Sequence, residues 1–135
     1  MTELRNLAFA GLLIATGTGA LAQTAMLSTA DQALGTSVTV ASITVAQDGW
    51  VVIHQVEDGK PVVPTSIGHT YVTAGTTMDV PVALTEAVET GQVIAMLHSD
   101  DGERGVYEFG ADSTDNDLPV SVDGKVVVAP ITISE

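Results

Sequence analysis

The sequence is 135 residues long, with 4 Lys+Arg against 17 Asp+Glu and no Cys. That length suits one domain, and the lack of Cys excludes disulfide scaffolds, thiol chemistry and thiolate metal sites. A net charge of −13 argues against nucleic acid and against an anionic membrane surface, since both are bound through basic patches.

Residues 1–22 read as a secretory signal peptide. Arg5 and the amino terminus outweigh Glu3, an apolar stretch runs from Leu7 to about Gly19, and Ala20-Leu21-Ala22 fits the small-x-small cleavage rule. The apolar run of about 16 residues is short of the roughly 20 that a spanning helix needs. Cleavage would leave Gln23 as the first residue of a periplasmic or secreted protein, with no membrane insertion afterwards. The charge balance would not change, because the segment removes one acid and one base.

Residues 23–36 are expected to be a tether. Met26, Leu27, Ala30 and Leu34 fall near helical spacing, but so short a helix is marginal in water. From Ser37 the spacing becomes two. Val38, Val40, Ile43 and Val45 predict a strand whose phase slips at Ala41-Ser42, as at a bulge. Trp50 to Val56 predicts a central strand, apolar on both faces through Ile53. The sequence Glu57-Asp58-Gly59-Lys60 closes a hairpin. Pro61 and Pro64 make the next piece an edge or a connection.

Ile67 to Val72 alternates. Met78, Val80, Val82 and Leu84 form one stripe, and Pro81 within it predicts an edge strand. Thr85 to Gly91 reads as a polar crossing, with one helical turn conceivable over Leu84 to Glu89. Val93 to His98 is a second strand buried on both faces, and Val106 to Phe109 a short alternating one. Asp112 to Asp117 is an acidic loop. Val120 to Val122 leads into an Asp123-Gly124 turn, and Lys125 to Ser134 is the last strand. About seven strands at roughly ten-residue spacing predict an all-β, immunoglobulin-like β-sandwich over residues 37–135. The prolines favour an open sandwich over a closed barrel.

The segments Ala41–Val45, Gly49–His54, Tyr71–Thr76, Val93–Asp100 and Tyr107–Phe109 together resemble a family of secreted and surface domains of unknown function. That family is common in salt-loving archaea and found in bacterial envelope proteins. The resemblance covers about residues 38–134. It implies an extracytoplasmic, sandwich-like domain, often repeated or appended to others, and it implies no activity. Here one copy stands with nothing attached, so the domain is expected to be the whole product.

Two clusters offer chemistry. Asp100, Asp101, Glu103 and Glu108 open an acidic stretch that reaches Asp117 and holds one cation, Arg104. Calcium takes 6–8 oxygen ligands from such loops. The family's version of this segment resembles an Asp/Asn/Gly calcium loop more closely; here the DxDxDG spacing is missing, and a solvated acidic hairpin loop is the preferred reading. The second cluster is His54 and His98, each ending an apolar run, with His69 mid-strand and Met78 and Met96 as soft donors. Two His with Met would suit copper. The preferred reading is that both histidines are structural, each donating to a backbone carbonyl or to an acidic neighbour at a sheet edge.

A catalytic triad is not expected. His98-Ser99-Asp100 has the right residues, but neighbours on a strand face opposite ways, and no GxSxG elbow is present. The expectation is a non-enzymatic binding or structural module with a protein or envelope partner. The alternative is a small extracytoplasmic metal-binding protein, calcium before copper.

Overall fold

Val, Ile and Thr recur through residues 35–134 at the spacing that fills one face of a strand. The computed structural model describes residues 24–135, and the expected signal peptide at 1–22 lies outside the described residues. The strands are β1 (Ala25–Ser28), β2 (Gln32–Ala33), β3 (Gly35–Val45), β4 (Gly49–Glu57), β5 (Lys60–Pro61) and β6 (Gly68–Val72). They continue with β7 (Gly75–Val88), β8 (Gly91–Ser99), β9 (Ser121–Val122), β10 (Lys125–Val126) and β11 (Val128–Ser134). The described residues contain no helix, and so none long and apolar enough to cross a membrane.

One sheet has the order β1-β3-β7. A second has the order β2-β11-β8-β4-β5, with β6 also paired to β4. The pairings are antiparallel except β2 with β11. The sheets pack together over a core of aliphatic side chains. Val38, Val40, Val80 and Val82 come from the first sheet, and Val51, Ile53, Leu97 and Ile131 from the second. Each such side chain, fully buried, contributes about 1.5–3 kcal/mol.

The turns follow the sequence closely. Asp58-Gly59 and Asp123-Gly124 both have positive φ at both residues, the geometry that a two-residue hairpin requires. Pro61 lies on the edge strand β5, and Pro81 lies on β7 at the edge of the smaller sheet. β4 and β8 are interior strands, as their unbroken apolar runs predict.

Four expectations are corrected. Residues 25–28 are not a tether or a helix: β1 pairs with β3, with Ala25 opposite Val45 and Leu27 opposite Ile43. Ala25 and Leu27 pack against the core while Met26 stands in solvent. An open sheet edge supplied the hydrogen bonds that a short isolated helix cannot supply for itself. Leu84 to Val88 is the end of the long strand β7 rather than a helical turn or a polar crossing. Val106 to Phe109 lies outside any strand, in a long loop held by side chains. The phase slip at Ala41-Ser42 is not a register shift either, because Val40 faces Val80 and Ser42 faces Met78. Across the ladder, Asp79 between Met78 and Val80 has φ 51°. The ladder shifts earlier, between Gly35 and Ser37.

Candidate functional site

The two faces of β4 serve different ends. Val51 and Ile53 enter the core between the sheets. Trp50, Val52 and His54 point the other way, and their register sets a grid with the neighbouring strands. Trp50 lies between Tyr71 on β6 and His98 on β8, Val52 between His69 and Met96, and His54 opposite Ile94. The fold thus places all three histidines on one face of one sheet.

That face is covered rather than exposed: Trp50, Val52, His54, Met96 and His98 are all buried. The cover is the segment 100–119. Tyr107 stacks on His69 with ring centroids 4.4 Å apart and meets Trp50 edge-on at 5.4 Å. Phe109 meets His98 edge-on at 4.8 Å. Trp50, Tyr71, Tyr107 and Phe109 gather here, so every aromatic residue of the described chain belongs to this layer.

Asp117 fastens the cover. It is fully buried and adopts φ 52°. Its carboxylate accepts the amides of Asp101 at 2.8 Å and Glu108 at 2.6 Å, and its carbonyl accepts Nδ1–H of His98 at 2.7 Å. Burial raises the Asp117 pKa, and the two amide bonds oppose that rise. The return of the loop adds backbone bonds, Ser99 N–H to the Leu118 carbonyl and Val120 N–H to that of Leu97.

His54 is held in a similar way, its Nδ1 within 2.9 Å of the Val62 carbonyl and 2.8 Å of the Thr65 carbonyl. Carbonyls only accept, so Nδ1 carries the proton in both histidines. Burial pushes the His98 pKa down to about 4, with the Asp117 carbonyl acting against the shift and His54 adding to it. The His54 and His98 rings have centroids 5.9 Å apart and planes 27° apart. The Nε2 atoms of both are buried without a hydrogen-bond partner, as are Trp50 Nε1 and Tyr107 Oη. Burial pushes the Tyr107 pKa up to about 12.

The acidic residues are largely engaged with the chain itself. Asp100 accepts Tyr71 O–H at 2.9 Å and the Gly105 amide at 3.0 Å. Asp101 accepts Ser99 O–H at 2.6 Å, and Glu108 accepts the Glu103 amide at 2.7 Å. Gly102 has φ 69°, and a Cβ there would collide with the Glu108 carboxylate and the Asn116 side chain. Asp48 takes the Ala74 amide and Arg104, and these bonds lower its pKa, the Ala74 amide most strongly. Among the described residues, no group of three or more His, Asp or Glu converges as a metal-binding set.

The structure therefore brings His54 and His98 together and leaves Asp100, Asp101, Glu103 and Glu108 strung along a loop. Ser99 Oγ bonds Asp101 and the Leu118 carbonyl, not His98. Asp117, Trp50, Tyr71 and Tyr107 carry the site and were not singled out from the sequence. The available signal was the scarcity of aromatic residues, which makes each one conspicuous.

A family model described as a domain of unknown function, DUF7282, matches residues 25–134. The chain belongs to the DUF7282 family. The DUF7282 match runs from the start of β1 to the end of β11, so it begins earlier than the expected span from residue 38 and includes the strand mistaken for a tether. None of the curated proteins and none of the solved structures compared with this DUF7282 chain matches it.

Proposed function

We propose that the protein is an exported, acidic module of immunoglobulin-like sandwich architecture that binds a protein of the cell envelope without catalysis. The signal-peptide pattern of residues 1–22 supports export, and two sheets packed over one aliphatic core support the sandwich. The observation that carries the binding role is the outer face of the smaller sheet.

Met26, Thr44 and Thr76 form one row across that face, and Ser28, Ser42 and Met78 form the next. None of the six is charged, in a chain of net charge −13. Met26 and Met78 are each 63% exposed, and the Thr44 and Thr76 hydroxyls bond each other at 2.8 Å. An uncharged face is where an acidic domain meets a partner without desolvating carboxylates. Contacts of that kind resist salt, whereas contacts through carboxylates weaken with it.

The test is site-specific photo-crosslinking in producing cells, from Thr44 at the centre of the face and from Glu57 as a control, followed by fractionation. The expected result is a discrete adduct in the envelope fraction from Thr44 alone, stable in about 1 M salt and lost in a Met26→Lys, Met78→Lys variant. Equal adducts from both positions, no adduct from Thr44, or a chain retained in the cytoplasm would overturn the reading.

A further inference from the structure

We propose that His54 and His98 form a binding site for one soft monovalent cation, Cu(I), held between their Nε2 atoms beneath the 100–119 cover. The proposal goes beyond the binding face described above and does not depend on it.

The two rings pose an unbalanced hydrogen-bonding problem. Each uses Nδ1–H on backbone carbonyls, so each Nε2 offers a lone pair and not a proton. Both Nε2 atoms are buried without a partner, in side chains that are 0% and 1% exposed. Buried acceptors are normally satisfied, and two neighbouring acceptors cannot satisfy each other. An electron-pair acceptor shared between them resolves both.

The spacing fits a shared ion. A metal–nitrogen bond of about 2.0 Å and a ring radius of roughly 1.2 Å put the centroids of two imidazoles on one ion at most ~6.4 Å apart. The observed 5.9 Å lies within that limit and corresponds to a bent arrangement, with an angle of roughly 135° at the ion. Carbonyl bonds to the far nitrogen of each ring are the usual means of fixing a ligating imidazole's tautomer and direction, and here they come from three separate residues, Val62, Thr65 and Asp117.

The donor set selects the ion. With no third His, Asp or Glu in the group, four-coordinate zinc and oxygen-rich calcium lack ligands. Cu(I) is satisfied by as few as two or three ligands, imidazole among them, and favours thioether neighbours. Met96 is buried on the same sheet face, one strand position of that face from His98. A single positive charge is also the smallest burden for so dry a place, and the buried Asp117 carboxylate lies on the residue that anchors His98.

The probe is Ag(I), the redox-inert counterpart of Cu(I), followed by Cu(I) itself under anaerobic reducing conditions. The 15N-labelled protein is loaded both in the native state and by refolding with one equivalent of ion, so that a closed cover does not prevent entry. The expected result is one ion per chain, with the Nε2 resonances of His54 and His98 displaced and their Nδ1 resonances nearly unmoved. His54→Gln and His98→Gln each weaken binding by at least about 100-fold, the upper end of what losing an outer-shell partner costs. A Met26→Leu, Met78→Leu variant, which removes the exposed thioethers, binds as before. If the His variants fail to fold, the wild-type resonances decide alone. Absence of binding, binding that leaves both Nε2 resonances in place, or an ordered water bridging the two Nε2 atoms with no ion taken up would overturn the proposal.

Discussion

The main-chain oxygen of Asp117 accepts Nδ1–H of His98 at 2.7 Å, while the carboxylate of the same Asp117 accepts two amides of the loop that covers His98. One buried residue thus joins the interior strand β8 to the segment lying over it. The seating of the cover over the histidine layer therefore depends on Asp117.

Asp117→Ala is expected to loosen the cover before it loosens the sheets. It leaves the amides of Asp101 and Glu108 without their acceptors, at about 1–3 kcal/mol each. Part of this is returned because burial disfavours the ionised Asp117 and raises its pKa, so the net loss is about 2–3 kcal/mol. Asp117→Asn keeps one acceptor and turns its NH2 toward the other amide, which places it between wild type and Ala. Chemical denaturation measures the loss. Amide exchange should accelerate across 100–119 while β4 and β8 stay protected; uniform acceleration would show that Asp117 does not act locally.

Stability should fall as the pH drops from about 6.5 toward 4. The folded pKa of His98 is depressed to about 4 from an ordinary 6.5. Over that window the unfolded chain binds a proton that the folded chain refuses, so acid favours unfolding. At about 1.36 kcal/mol per unit, the full contribution of this fully buried ring is about 3 kcal/mol. His69, also depressed by burial, acts in the same direction. Asp117, raised by burial, acts oppositely, gaining stability as it protonates between its raised folded value and the ordinary 3.8. Thermal melts at fixed ionic strength should show the slope, and His98→Gln should remove most of it. An unchanged slope in that variant would assign the effect elsewhere.

The fold was legible where local chemistry settles it. Asp58-Gly59, Asp123-Gly124 and Pro81 fix turns and an edge by backbone sterics alone, and the two-faced apolar runs of β4 and β8 mark interior strands. The sequence of β1 carries no such mark, because Ala25–Ser28 becomes a strand only by completing the edge of β3, a partner far along the chain. The site was legible in its letters and not in its assembly. His54 and His98 stood out as histidines ending apolar runs, but their 5.9 Å approach depends on the register that sets Trp50 opposite His98 and His54 opposite Ile94. The part played by Asp117 could not be read at all, since an acid in an acidic loop looks the same whether it faces water or two backbone amides.

Calcium at millimolar concentration should leave the melting temperature unchanged against a chelator control at equal ionic strength. Asp100, Asp101 and Glu108 accept hydrogen bonds from Gly105, Ser99 and Glu103, respectively. Recruiting them for an ion that wants 6–8 oxygens would release those donors. A stabilisation that saturates with calcium would mean that the loop rearranges, and Glu103→Gln would then show whether the one side chain of the four that accepts none of these bonds leads the rearrangement.

Added salt should stabilise the protein. A net charge of −13 repels itself across a small surface, and screening shortens from about 10 Å at 0.1 M salt to about 3 Å at 1 M. The opposing effect is slight. The Arg104–Asp48 ion pair also weakens in salt, but Arg104 is 79% exposed, and exposed pairs contribute about 0–1 kcal/mol. Each kcal/mol of repulsion relieved raises the melting temperature by about 4 °C in a domain of this size, so several degrees are expected between dilute buffer and 1 M sodium chloride. Screening also predicts a gain that levels off and is the same in potassium chloride, whereas salting-out by sulfate continues to rise. The gain should shrink near pH 4, where the exposed carboxylates lose their charge. A melting temperature flat in salt at pH 7 would mean that the carboxylates are spread widely enough for water alone to shield them.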